Sequence, residues 1–389
     1  MNVEGNCDSR FRAVRDAFCE NFASRGELGA AVTVTVDGKT VVDLWGGVAD
    51  RVSGRAWTGD TMVVVFSCTK AATALCAHML VARGCLDLDA PVAHYWPEFA
   101  AAGKGAIPVR MLLNHQSGLA AVDEPLPGAA IYDWDTMALA LAAQAPHWEP
   151  GAAHGYHAAT FGWLVGDVVR RISGRSLGTF FREEVAGPLG LDFWIGLPAA
   201  LEARVAPIRM APLTGETTPI MRAMADRSTL TSKAFMNPPG LLTSRQVNAR
   251  ALHAAEVPAA NGIASARGLA GMYTPLACGG RIGAVELVDR DTLQAMTTVE
   301  SEGDDRVLLI PTRFASGFMK SIDNSRQGDS AVLGPNPAAF GHAGAGGSIG
   351  MADPTARVAI GYVMNQMGAG VLLNARGQGL IDAVYASLT

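Results

Sequence analysis

The stretch Ser67-Cys68-Thr69-Lys70 sets a hydroxyl and an amine three positions apart. A serine hydroxyl is a poor nucleophile until a neighbouring base takes its proton, and a lysine can be that base only if its pKa falls well below about 10.4. Burial and the positive end of a helix both push it down. The stretch lies between the apolar run Met62-Val63-Val64-Val65-Phe66 and a helical pattern reaching Arg83, with Gly84 where a stop is expected. Ser67 therefore falls at a helix N-terminus, Lys70 follows one turn later, and residues three apart share a helix face. The plainer reading is an N-cap serine with an unrelated lysine. A capping box, however, would put Glu or Gln at position 70, and a cation in the first turn opposes the helix dipole. Of the five lysines (Lys39, Lys70, Lys104, Lys233 and Lys320), only Lys70 has a serine three residues before it. The same helix N-terminus would aim backbone N–H groups at a developing oxyanion.

Tyr156 follows the turn Trp148-Glu149-Pro150-Gly151 and directly precedes a helix starting near Thr160, where a side chain can face a cleft. A phenol beside a cation can have its pKa lowered and relay protons; a packed tyrosine is the alternative. Gly346-Gly347-Ser348-Ile349-Gly350 matches a nucleophile elbow, but that fold needs a histidine after the serine and the last histidine is His342. Ser348 then belongs to a glycine turn leading into a strand. Cys68 has no histidine beside it in sequence to make a thiolate pair. His154 and His157 lack a third ligand of suitable spacing, so no metal is expected. His115 is expected to brace a loop.

Helix and strand patterns place these residues. Residues 9–25 read as an amphipathic helix with Phe11, Val14, Phe18 and Phe22 on one face. Residues 30–36 and 40–45 read as strands joined across Asp37-Gly38-Lys39, a hairpin signal. From about 85 to 280 the pattern changes to helices over 133–144, 160–173, 177–187 and 265–277, the last capped by Ser265. The stretch 205–240, rich in Met and Pro, reads as loop. Strands return at 285–288, 348–351 and 358–364, and a helix covers about 372–387. One antiparallel sheet assembled from both ends follows, with an inserted helical subdomain. The expected division is 1–84 with 282–389 as the α/β subdomain and 85–281 as the helical one, the site lying between them.

Composition bounds the function. The 389 residues are 49 % hydrophobic and 17 % charged, which indicates a globular, well-buried protein. A net charge of −5 without a basic cluster gives no support for a nucleic-acid partner. No run approaches the roughly 18 apolar residues of a membrane span, Met1 to Arg15 lacks the apolar core of a secretory signal, and a cytoplasmic location is expected. The six cysteines have no C-x-x-C spacing, so neither a zinc site nor a disulfide framework is expected.

Three ordered motifs, Ser67-Cys68-Thr69-Lys70, Tyr156-His157-Ala158 and His342-Ala343-Gly344, resemble those of the serine hydrolases that share the class C β-lactamase and D-alanyl-D-alanine peptidase fold. The chain is most similar to their esterase branch, the family VIII carboxylesterases, over roughly residues 25 to 370. The resemblance implies an α/β fold of the α+β type, an antiparallel sheet flanked by helices. It implies that Ser67 is acylated, that Lys70 and Tyr156 shuttle its proton, and that N–H groups of Ser67 and Ala345 form the oxyanion hole. His342 and Gly344 would line the wall beside a small-molecule ester, with no cofactor. Class C β-lactamases have asparagine where Ala158 stands and lysine where His342 stands, so the expected activity is hydrolysis of short- to medium-chain esters. Acyl transfer from the same acyl-enzyme is the nearest alternative, then β-lactam or peptide hydrolysis; a penicillin-binding or scaffold protein without turnover is the reading from a different class.

Overall fold

The computed structural model describes residues 2–210, 218–239, 243–324, 331–370 and 372–388. Its strands, in chain order, are β1 (Val3–Cys7), β2 (Gly29–Val36), β3 (Lys39–Asp50), β4 (Arg55–Ala56), β5 (Val63–Val64), β6 (Phe193–Trp194), β7 (Ile263–Ala264), β8 (Arg281–Ile282), β9 (Val285–Glu286), β10 (Ser301–Asp304), β11 (Pro311–Phe314), β12 (Met319–Lys320), β13 (Phe340–Ala343), β14 (Ile349–Asp353) and β15 (Val358–Met364). The helices that matter below are α1 (Arg12–Ser24), α2 (Cys68–Ala82), α3 (Trp134–Ala143), α4 (Thr160–Ser173), α5 (Ala266–Ala277) and α6 (Ala375–Ala386).

The main sheet runs β1-β3-β2-β15-β14-β13-β12-β11-β10, antiparallel throughout, with β4 on the edge of β3. Asp37 and Gly38 both take positive φ, 48° and 75°, the conformation that lets a two-residue hairpin follow the strand twist. β15 zips beside β2 with Gly361 opposite Thr33, so the two ends of the chain share one sheet. Alternation divides its faces. Ala30, Val32, Val34 and Ile360 join a core with Phe11, Val14 and Phe18 before and within α1 and with Leu380, Ile381 and Val384 of α6, while Ala31, Ala359 and Val363 join Ala266, Leu269 and Tyr273 of α5.

α5 lies unusually close to the sheet. A Cβ on Gly361 would sit 2.5 Å from Ala266 O and Ala270 N, and one on Gly350, its partner in the ladder, 2.4 Å from the Tyr273 ring. The chain thus returns to the sheet at α5, earlier than residue 282.

Several elements differ from the sequence reading. β1 is an unforeseen edge strand on β3. Among the described residues Val285-Glu286 pairs with Arg281-Ile282 alone, in a hairpin off the main sheet. The span 177–187 is broken into Leu177–Phe181 and a π-helical turn Arg182–Ala186. The span 205–240, part of which lies outside the described residues, contains helices Pro219–Ala225 and Leu230–Met236, capped by the hydroxyls of Thr218 and Thr229.

Candidate active site

β5 pairs with β7, Val65 N donates to Gly262 O at 2.8 Å, and the chain then turns at Phe66. Phe66 is buried with φ +46°, a left-handed conformation that costs a bulky residue about 1–3 kcal/mol and persists only where its surroundings impose it. Thr69 supplies part of that constraint: its hydroxyl donates to Phe66 O and accepts from Gly262 N at 2.9 Å. Ser67 stands at the N-cap position of α2 with helical dihedrals and makes no side-chain capping bond. Its hydroxyl is therefore not spent on the helix end, and the plain N-cap reading fails.

Lys70 is fully buried, with Nζ 3.2 Å from Ser67 Oγ, 2.8 Å from Ala158 O and 2.9 Å from Ala259 O. Burial holds its pKa well below the usual lysine value. A neutral amine has two N–H donors and one lone pair. The two carbonyls take the donors, which leaves the lone pair for the Ser67 hydroxyl. The carbonyls come from the loop before α4 and from the 258–262 turn, which Thr73 Oγ1 fastens to α2 through Pro258 O at 2.5 Å.

The Tyr156 hydroxyl lies close enough to Ser67 for that hydroxyl to act on its pKa, and Lys70 Nζ lies 4.5 Å from its ring centroid. The expected lowering of its pKa does not occur: burial raises it, outweighing the lowering influence of Ser67, so the phenol stays protonated. Its backbone N–H donates at 3.0 Å to Asp305 Oδ1, which also accepts from Val307 N and Leu308 N at 2.8 Å. Asp305 Oδ2 accepts from Thr312 Oγ1 at 3.1 Å, itself 2.8 Å from His154 Nε2. The sequence reading missed Asp305. The bonds to 307 and 308 form a local Asp turn that residue type could have suggested, whereas the link to Tyr156 spans 149 positions and leaves no local signal.

β13 forms the facing wall. Cys68 Sγ donates to His342 O at 3.1 Å, and burial pushes the thiol pKa up to about 12, which removes Cys68 as a thiolate nucleophile. A Cβ on Gly344 would fall 2.3 Å from Val65 O, so glycine here lets the β13–β14 turn close on the start of α2. The turn carries Ala345 at its tip. Among the described residues, neither Ser67 N nor Ala345 N donates to a protein acceptor, as oxyanion donors require.

His342 is buried with its ring centroid 6.0 Å from that of Tyr156. Its Nδ1 lies 2.8 Å from Ala343 O, and since a carbonyl only accepts, Nδ1 carries the hydrogen and Nε2 the lone pair. Nε2 has no partner among the described residues. Burial, then the neighbouring Lys70, lowers the imidazole to about 3, so it is neutral.

Two further histidines, His157 in the loop before α4 and His115 beside it, are linked by a hydrogen bond. His157 bridges Ser117 Oγ (2.8 Å) and Gly155 O (2.7 Å), and His115 Nδ1 accepts from His157 N at 3.2 Å while His115 O accepts from Gly155 N at 3.1 Å. Together they brace the loop that ends in Tyr156. Among the described residues no group of three or more His, Cys, Asp or Glu is arranged to hold a metal. Ser348 is buried in the turn, its carbonyl accepting from Gly344 N at 2.7 Å.

This geometry is that of a known family, whose model, described as beta-lactamase, matches residues 14–383. The chain belongs to the beta-lactamase family. It is therefore an enzyme of the serine hydrolase type, with a beta-lactamase-like fold. It is 38 % identical over 373 residues to the esterase/beta-lactamase LipL of Mycobacterium tuberculosis, covering 94 % of this chain and 83 % of that one. A family VIII carboxylesterase of solved structure superposes with a TM-score of 0.90 at 40 % identity, covering 100 % of both chains. A penicillin-binding protein homologue from Caulobacter crescentus superposes with a TM-score of 0.88 at 39 % identity, again over 100 % of both. Among the described residues no helix is long and apolar enough to cross a membrane.

Proposed function

We propose that this beta-lactamase-family protein is a carboxylesterase that cleaves short- to medium-chain esters through an acyl group on Ser67. The observation that carries the reading is the cluster of Ser67, Lys70 and Tyr156 with the Lys70 hydrogen bonds. A protonated Tyr156 stands beside Ser67, Ser67 faces a Lys70 lone pair, and the amine's two N–H groups are held by Ala158 O and Ala259 O. Lys70 is then the general base: as Ser67 Oγ bonds to the ester carbonyl carbon, its proton passes to Nζ and the carbonyl oxygen becomes an oxyanion facing Ser67 N and Ala345 N. Tyr156 is the acid, giving its phenolic proton to the departing alkoxide and regaining one from Lys70. Water repeats the sequence on the acyl-enzyme. The carboxylesterase relative of solved structure and the esterase relative of M. tuberculosis support the ester as substrate. Six unpaired thiols support a cytoplasmic location.

The same site is poorly suited to a β-lactam. That substrate presents a carboxylate, and a neutral His342 whose Nε2 carries a buried lone pair without a partner among the described residues offers it neither charge nor a donor, while Ala158 has no amide to meet its side chain. Binding energy missing at such remote contacts also slows the chemical step. The test compares nitrophenyl butyrate with a chromogenic cephalosporin, with and without an added alcohol, followed by intact mass. Ester turnover through a +70 Da class of acyl adduct on Ser67 is expected, by about the mass of a butyryl group, with kcat/KM well above that for the cephalosporin. Equal turnover of the two would overturn the reading, and transfer to the alcohol faster than hydrolysis would favour the acyltransferase.

A further inference from the structure

The β13–β14 turn is gripped from outside at one atom. Gly346 O, one residue beyond Ala345, accepts from Asn374 Nδ2 at 2.9 Å, Arg376 Nη2 at 3.2 Å and Gly368 N at 2.9 Å. A carbonyl has two lone pairs, so three donors on one oxygen is a dense arrangement, here at a largely buried turn. Within the turn, Gly347 N donates to Gly344 O at 3.0 Å and Gly344 N to Ser348 O at 2.7 Å. The peptide unit that carries Ala345 N–H is therefore held through Gly344 O, and the Gly346–Gly347 unit beyond it through Gly346 O. The donors are themselves anchored. Asn374 is the N-cap of α6, its Oδ1 accepting from Arg376 N and Gly377 N. Arg376 is 3 % exposed; its Nη2 also donates to Gln366 O at 2.8 Å, and its Nη1 pairs at 2.9 Å with Glu27 Oε1 in an ion pair buried on both sides. Tyr362 of β15 donates its hydroxyl to the other oxygen of Glu27.

A buried ion pair is a poor source of stability, because desolvating both charges offsets their attraction. Its use here is directional. We propose that Asn374 and Arg376 are positioning residues that hold the Gly344–Gly347 turn so that Ala345 N–H stays aimed at the oxyanion formed at Ser67. This rests on the reading of Ser67 as nucleophile and Ala345 as oxyanion donor. An oxyanion donor acts only at the right distance from the developing charge, so a turn free to relax loses transition-state stabilisation with little loss of substrate binding.

The decisive variant is Asn374→Asp. It keeps a side-chain oxygen to cap α6, and an acidic group suits a helix N-terminus, but it replaces the N–H aimed at Gly346 O by a second oxygen. The expected result is a roughly 10-fold or greater fall in kcat on nitrophenyl butyrate with KM changed less than about 3-fold, given that losing an oxyanion donor outright costs about 10²–10³ in kcat. A boronic acid, which forms a tetrahedral adduct on a serine nucleophile, should lose affinity in step with kcat. The thermal midpoint should stay within a few degrees of the parent protein. Arg376→Met risks unfolding by stranding Glu27, so it is made together with Glu27→Gln, and the same split between kcat and KM is expected. Unchanged kcat and boronate affinity in both variants would overturn the proposal and leave the cluster a packing feature. A parent protein that binds the boronate but cleaves no ester would instead refute the esterase reading while leaving this one standing, because boronate affinity in the variants still reports on the turn.

Discussion

Lys70 is where opposing electrostatic terms meet. Two carbonyl oxygens would favour an ammonium, but a fully desolvated charge without a carboxylate partner costs several kcal/mol, and burial wins. Only the free amine can take the Ser67 proton, so kcat/KM should rise with pH through the Lys70 pKa, and that limb should lie well below the usual lysine value of about 10.4. A pH profile with no rise below pH 10 would count against Lys70 as the base. Lys70→Ala and Tyr156→Phe should each lower kcat by at least about 10²-fold, and the double variant should be markedly less than additive because both act on one proton path; a double-mutant cycle with zero coupling would contradict this. Ser67→Ala should abolish labelling by a phosphonate probe, whereas Ser348→Ala should leave it intact, since Ser348 is buried in the turn. The spacing of Ser67 and Lys70 was legible because one helix turn brings them together. The sign of the Tyr156 shift was not, because it depends on how deeply the fold buries the phenol, which a neighbouring cation in the sequence does not reveal.

Elements placed by a local rule were the ones readable in advance. The helix at 160–173 ends at Gly174, which takes φ +69°, and the strand at 358–364 is a continuous apolar run; both were found at their predicted bounds. β1 was missed because Val3-Glu4-Gly5-Asn6-Cys7 is a polar edge strand whose order comes from pairing with β3 and not from its own composition. The two helices of seven residues in 218–236 were missed because they carry too few turns to show a period, and only their threonine caps announce them. Asp305 belongs to this scale because it fastens the loop between β10 and β11 to the Tyr156 loop. Asp305→Ala strands three buried N–H groups, at roughly 1–3 kcal/mol for each donor that finds no new partner. It should lower both the unfolding midpoint and kcat, and Tyr156→Phe made on top of it should cost less than in the parent. Gly361→Ala tests the contact between α5 and the sheet. Backbone atoms at 2.5 Å cannot move aside as a side chain would, so a loss of more than about 1–3 kcal/mol is expected in urea unfolding, and a neutral result would show that α5 can shift.

Across the whole molecule, burial sets the response to acid. His78, His115, His157 and His342 are all buried and held neutral, His78 at about 4, His157 and His342 at about 3 and His115 well below its ordinary value, with desolvation the largest cause in each. A group whose folded pKa is depressed contributes stability above its unfolded value, here about 6.5, and loses it as pH falls toward the folded value, because the unfolded chain takes up a proton that the native one refuses. Glu27 works the other way: burial, against the pull of Arg376, raises its carboxyl to about 7, so its contribution to the native state is full below about pH 4.5, is lost as pH rises through about 7, and cancels part of the histidine effect on acidification. The raised carboxyls of Glu300 and Asp305 add to that opposition. His78 isolates one histidine from the balance, since it lies away from Ser67, with its Nε2 2.9 Å from Ser316 O and its ring stacked on Phe318. His78→Gln keeps a donor for that carbonyl and removes the titration. The variant should be less stable at pH 7 for loss of packing, but the deficit should shrink as pH falls from 6.5 toward 4, by up to about 1.4 kcal/mol per pH unit for a single proton. Urea unfolding of both proteins at pH 7, 6 and 5 reads the gap directly. Parallel stability curves would mean that His78 already titrates in the native state, and that the fold does not hold its buried imidazoles neutral in the way its geometry indicates.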